Sequence, residues 1–156
     1  MVRDISKIHD KYYEANLQLR DVSPEVVKYA ESEINRVKLY VAKTAKLKTG
    51  YDYFLSDSGL TRALGKSLQQ KYGGDLKITS SLFGQSDGKD VFRVTVMFRE
   101  AHFRRNDLVI YRGEEYNVKI VSKDILLQNT KTGKKVHIKY KEMRDIKKVE
   151  WNITDH

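Results

Sequence analysis

"YYEANLQLRDVSPEVVKYA", Tyr12–Ala30, changes its period half way along, and that change decides the fold class. In Tyr12–Arg20, Tyr13, Ala15, Leu17 and Leu19 fall on one side and Tyr12, Glu14, Asn16, Gln18 and Arg20 on the other. A period of two belongs to a strand with one face buried and one open. Ser23 then supplies a helix N-cap, Pro24 the first helical position and Glu25 an acid in the first turn. Val27, Ala30, Ile34, Val37 and Val41 follow at spacings of three and four, an apolar stripe along one helix. Lys43, Lys46 and Lys48 suit the negative end of that helix's dipole, and Gly50 stops it.

Further along, "YDYFLS" reads as a short strand, and Ser56 or Asp57 caps a second helix. Leu60, Ala63, Leu64 and Leu68 form its buried stripe, and Gly73–Gly74 ends it. Two strands, Leu76–Phe83 and Val91–Phe98, are joined by "GQSDGK", with Phe92, Val94, Val96 and Phe98 on one face. The order β-α-β-α-β-β over residues 11–101 predicts a two-layer α/β domain. Its sheet is mixed, its crossovers right-handed, and both helices lie on one face, leaving the other face open.

From Phe103 the helical period vanishes. Val109 and Tyr111, then Tyr116, Val118 and Ile120, then Ile125 and Leu127, then Val136 and Ile138 alternate with polar neighbours. Turn signals fall at Arg112–Glu114, Ser122–Asp124 and Thr130–Lys134. Short strands at such intervals predict a small SH3-like β-barrel over residues 102–150, so the fold class is α+β. "AHFRRND" reads as the linker, residues 1–10 as a flexible N-terminal segment and 151–156 as a C-terminal tail.

The chain of 156 residues is basic, with net charge +9 and pI near 9.6. The positive density rises towards the C-terminus: 13 Lys/Arg against 8 Asp/Glu from residue 101, compared with 17 against 13 before it. Such a balance favours a polyanionic partner. No cysteine is present, and His9, His102, His137 and His156 are scattered, so neither a metal site nor a cofactor is expected. No apolar stretch is long enough to span a bilayer, and "MVRDISKIHD" lacks the apolar core of a secretory signal. A cytoplasmic location without membrane partners is the expectation.

No nucleophile elbow or phosphate loop occurs, and "GQSDGKD" lacks the following helix that a phosphate cradle needs. Catalysis is not expected, nor is a small-molecule substrate. The RNA-binding candidates are Arg104, Arg105, Arg112, Lys119, Lys131, Lys134, Lys135, Lys139 and Lys141, several at turns where long side chains reach phosphate. Tyr111, Tyr116 and Tyr140 are candidates for stacking on unpaired bases, the plainer reading being core packing. "NTKTGKKVHIKY", Asn129–Tyr140, gathers three of these lysines at one hairpin tip, the plainer reading being a solvated turn. "NIT" at Asn152–Thr154 matches a glycosylation acceptor by chance, and Trp151 packs on the barrel or on a partner.

"YDYFLSDS", "LFGQSDGKDVFRVTVMFR" and "RRNDLV", in that order, resemble archaeal members of the large-subunit nuclear-export adaptor family, also called nonsense-mediated-decay protein three. The resemblance covers about residues 11–145 and involves no catalytic motif. It implies a non-enzymatic factor that binds rRNA and proteins of the large ribosomal subunit, alongside other assembly factors, in subunit maturation or quality control. It also implies a middle region similar to translation factor five A. "KTGK" echoes the lysine-bearing hairpin of that factor, but four letters do not carry over a modified lysine. Family members begin with CxxC pairs that bind zinc; their absence here is expected of a fragment lacking that region, the favoured reading, or of a divergent relative without cysteines. The alternative function is a protein-interaction adaptor whose barrel binds an acidic protein or peptide.

Overall fold

The computed structural model describes residues 12–150; the segment 1–10, the tail 151–156, Trp151 and the Asn152–Thr154 motif lie outside them. β1 (Ala15–Arg20) alternates buried and half-buried residues, as its sequence period requires. It is the centre of a five-stranded mixed sheet in the order β2 (Val41–Leu47), β3 (Gly50–Leu55), β1, β5 (Lys89–Glu100) and β4 (Gly74–Ser86). It runs antiparallel to β3 and parallel to β5. α1 (Pro24–Arg36) and α2 (Ser58–Tyr72) pack on one face of this sheet. Ala15, Leu17 and Leu19 join Val94, Val96 and Phe98 beneath Val26, Ala30, Ile34, Leu64 and Leu68 in one core. Among the described residues the opposite face carries no helix.

Both helices start where expected. The Ser23 hydroxyl accepts from the Val26 amide, and the Asp57 carboxylate accepts from the Leu60 amide at 2.8 Å. In α2, Leu64 and Leu68 are buried with Thr61 and Gly65, whereas Leu60 faces solvent. α1 is shorter than its apolar stripe suggested. It ends at Arg36 because Lys38 turns left-handed (φ 57°), the Leu39 amide donates to Ile34 and the Lys38 amide to Asn35. These bonds close the helix end, and Leu39 is buried beside Ile34 in the way such an end favours.

The residues beyond it, Val41–Leu47, form an edge strand, β2, paired antiparallel with β3. The element order is therefore β-α-β-β-α-β-β, one strand more than the sequence suggested. Lys43 and Lys46 are strand residues, not helix-end residues, and lysines on an edge strand discourage pairing with other chains.

β4 (Gly74–Ser86) and β5 form a hairpin longer than "GQSDGK" implied, because only Asp87 and Gly88 turn. Both residues have positive φ, 52° and 75°, the geometry a two-residue hairpin needs. On the turn side of Val94 no other strand among the described residues flanks the hairpin, so Leu82–Phe92 projects as a two-stranded arm. Leu82 and Phe92 are exposed on the arm because the helices do not reach it.

The second sheet is antiparallel in the order β10-β6-β7-β8-β9. β6 is Leu108–Tyr111, β7 Glu114–Val121, β8 Ile125–Asn129, β9 Lys135–Ile138 and β10 Ile146–Lys148. A 3-10 helix, Tyr140–Asp145, connects β9 to β10. The sheet surrounds its own core of Phe103, Val109, Val118, Ile125, Leu127, Met143 and Ile146. The stretch read as linker supplies Ala101 and Phe103 to that core.

The two sheets meet at Gly73 and Gly74. A side chain at Gly73 (φ 79°) would stand 2.5 Å from Val121 Cγ2 on β7 and 2.9 Å from the Val121 backbone. The Ser122 hydroxyl donates to the Gln70 carbonyl at 2.7 Å, and the Tyr140 hydroxyl to the Ser122 carbonyl at 2.6 Å. Among the described residues no helix is long and apolar enough to cross a membrane.

Candidate nucleic-acid interface

β7 runs from the β6–β7 turn to the seam with the first sheet, and β8 returns, with Tyr116 opposite Asn129. The β6–β7 and β8–β9 turns therefore lie at one end of the second sheet, far from the seam. That end collects Arg112, Lys131, Lys134 and Lys135. Lys119 lies within β7 at its bulge, Lys139 and Lys141 follow the end of β9 on the seam side, and Arg104 and Arg105 precede β6 there. The candidates thus form two groups rather than one patch.

Within the distal group, Arg112 is engaged. Its guanidinium donates to Glu142 at 3.1 Å, and its charge is largely answered there. Arg104 is similarly 3.8 Å from Glu100. Lys131, Lys134 and Lys135 are exposed and make no ion pair among the described residues.

The turn that carries these lysines is built from buried Asn129. Its side-chain oxygen accepts from the Lys131 amide at 2.9 Å and the Thr132 amide at 3.0 Å. Its backbone amide donates to the Lys134 carbonyl at 2.8 Å, and its carbonyl accepts from the Gly133 amide at 2.9 Å. Gln128 reaches the Gly133 carbonyl at 3.0 Å, and Gly133 supplies the positive φ of 73°. Thr130 donates to Glu115 at 2.9 Å, tying the tip to β7. A turn fixed at this many points presents its ammonium groups without ordering the backbone on binding.

The three tyrosines belong to the core: Tyr111 is 5% exposed, Tyr116 6% and Tyr140 8%. Tyr111 and Tyr116 pack edge to face, with centroids 6.3 Å apart, and neither offers a ring face to a base. Burial pushes the Tyr111 and Tyr140 phenols above their usual range. The rings that do reach the surface are elsewhere. Tyr13, Phe54 and Phe83 lie on the helix-free face of the first sheet, drawn from segments too far apart in sequence for any local pattern to join them.

Between the sheets lies a groove of about 730 Å³, lined by Asp75, Lys77, Arg99, His102, Lys141 and Arg144 among others. Its charges are mixed, and among the described residues no cluster of His, Asp and Glu is placed to hold a metal ion.

No curated protein matches the chain. The family description "NMD3, second domain" matches residues 12–99, more than half of the sequence. The match spans both helices and all of the first sheet but its last residue, Glu100, and includes two of the three motifs that carried the sequence resemblance; the third, "RRNDLV", lies beyond it. The chain belongs to the NMD3 family, whose members are non-enzymatic export adaptors associated with the large ribosomal subunit.

Proposed function

We propose that this chain binds the large ribosomal subunit through its rRNA and acts in subunit maturation or quality control. The turn held by Asn129 carries the reading: three exposed lysines on a fixed scaffold suit phosphate oxygens, and family membership supplies the partner. Each phosphate met by a lysine releases counterions, so binding falls as salt rises. Lys139, Lys141, Arg105 and Lys119 add positive field near the seam, while Arg112 and Arg104 contribute less because carboxylates already face them.

The test is co-sedimentation with purified large subunits over a salt series. Lys131→Glu/Lys134→Glu/Lys135→Glu should weaken binding and flatten the slope of log K against log salt by about 0.9 for each phosphate that the variant no longer neutralises. Binding no better than a neutral control protein, or binding indifferent to salt, overturns the proposal. Attachment that survives complete nuclease digestion of the rRNA would instead favour an acidic protein as the partner.

A further inference from the structure

A row of alternating cations and aromatic rings crosses the helix-free face of the first sheet. Lys43 Nζ on β2 stands 5.8 Å from the centroid of the Phe54 ring on β3. Phe54 meets Tyr13, just before β1, edge to face, with centroids 4.9 Å apart and planes at 72°. The Arg93 guanidinium on β5 lies 3.8 Å from the Tyr13 centroid and 3.5 Å from that of Phe83 on β4. Arg93 is further held by its Nε, which donates to the Tyr13 carbonyl at 3.2 Å. Strand spacing makes this row about 19 Å long across the sheet.

Single exposed apolar residues are ordinary on protein surfaces. This row is different, because each member touches the next and one of them is placed by a backbone irregularity. A bulge between Leu82 and Gly84 frees Phe83 from the strand pairing, and its side chain then meets Arg93. Bulges re-aim side chains in this way. Phe83 remains 57% exposed although Arg93 covers part of it, so a ring face is left for a ligand.

The chemistry selects the occupant. Rings interleaved with cations suit flat π-systems joined by negative charge. On the same face Lys77 adds a further cation, while the Asp52 carboxylate is answered by Arg20 at 2.7 Å. An acidic peptide would satisfy the cations but leave the rings unused, and in a duplex the base faces are already stacked.

We propose that this face binds unpaired RNA. About two or three bases would stack along Phe83, Tyr13 and Phe54, with Lys43, Lys77 and Arg93 meeting the phosphates. The inference rests on the preceding reading in that both name RNA, but it concerns a different surface and a different contact.

The experiment is fluorescence anisotropy with labelled oligoribonucleotides of about ten nucleotides, single-stranded or as a duplex of equal length. The wild type should prefer the single strand. Phe83→Ala should weaken single-strand binding about five- to a hundredfold and leave duplex binding unchanged. Because Phe83 is exposed, the variant should melt as the wild type does. In a Trp151→Phe background, Phe83→Trp should show emission quenched by the single strand. The triple lysine-to-glutamate variant should lose affinity for both forms.

Wild-type affinity in Phe83→Ala and in Phe54→Leu overturns the stacking face, even where the lysine variant still loses large subunits. That second result leaves the lysine turn standing alone. Quenching of the tryptophan by an acidic peptide but not by RNA overturns it in favour of a protein partner.

Discussion

The two sheets bury themselves in different ways, and each is left with a different kind of surface. The first sheet hides one face under α1 and α2, so its other face is a flat platform where residues from five strands stand side by side. The second sheet wraps its own core, with Phe103, Val118 and Leu127 inside and, among the described residues, no α-helix covering it. Its faces are spent on packing, and what remains for contact is the turns. A platform suits stacking, where the orientation of the rings matters most; turns suit phosphate contacts, where charge matters most. Tyr111, Tyr116 and Tyr140 fell on the wrong side of this division: tyrosines on a self-wrapped sheet become core.

The largest effects should come from attacking one core at a time. Phe98→Ala in the first sheet and Phe103→Ala in the second each remove a fully buried ring and should cost about 3–5 kcal/mol. If the cores are separate, hydrogen exchange will show the damage confined: amides of Ala15–Arg20 stay protected in Phe103→Ala, and those of Ile125–Asn129 in Phe98→Ala. Loss of protection in both sheets from either change would break the comparison.

Gly73→Ala is next in size and strikes the seam instead. The backbone there, φ 79°, is costly for any residue with a side chain, and the added carbon would meet Val121. We expect a loss of about 2–4 kcal/mol by urea denaturation, with exchange rising on both sides of the joint.

Tyr140→Phe should cost about 1 kcal/mol for the missing hydrogen bond to Ser122. It also sharpens the comparison at high pH. Burial raises the Tyr140 phenol in the folded state, and burial with a hydrogen bond to Glu31 raises Tyr53 in the first sheet. A folded-state value above the unfolded one means stabilisation is complete below pH about 10 and is lost as pH rises through the folded value. Urea midpoints taken through the alkaline range should fall for the wild type. In Tyr140→Phe they should fall less steeply, the remainder belonging to Tyr53, Tyr72 and Tyr111, whose phenols burial also raises.

Much of this was written in local patterns. Alternation in Ala15–Arg20, the Ser23–Pro24 cap, Asp57 and the turns at Arg112–Glu114 and Thr130–Lys134 all stand where their chemistry puts them. β2 was missed for two physical reasons. The helix ends on Lys38 in a left-handed conformation where glycine usually gives the signal, and Val41 continues the apolar spacing by coincidence. As an edge strand, β2 is mostly exposed, so it shows no clean period of two. The lysine turn was visible because its residues are consecutive. The row Lys43, Phe54, Tyr13, Arg93 and Phe83 was not, because only strand order and a bulge bring it together. The alternation even assigned Tyr13 to the buried side, yet its ring packs with Phe54 and Arg93 outside.

The long hairpin has a metric consequence. Its strands leave the glycine seam at Gly74, return to it at Glu100, and carry Phe83 near their far end. At the rise of an extended chain, the distance from the seam to Phe83 is about 30 Å. β4 and β5 therefore act as a measuring rod with the second sheet anchored at one end and the aromatic arm at the other. Footprints of the two surfaces on one RNA should keep a constant separation, and shortening the hairpin by a matched pair from each strand should move one footprint towards the other.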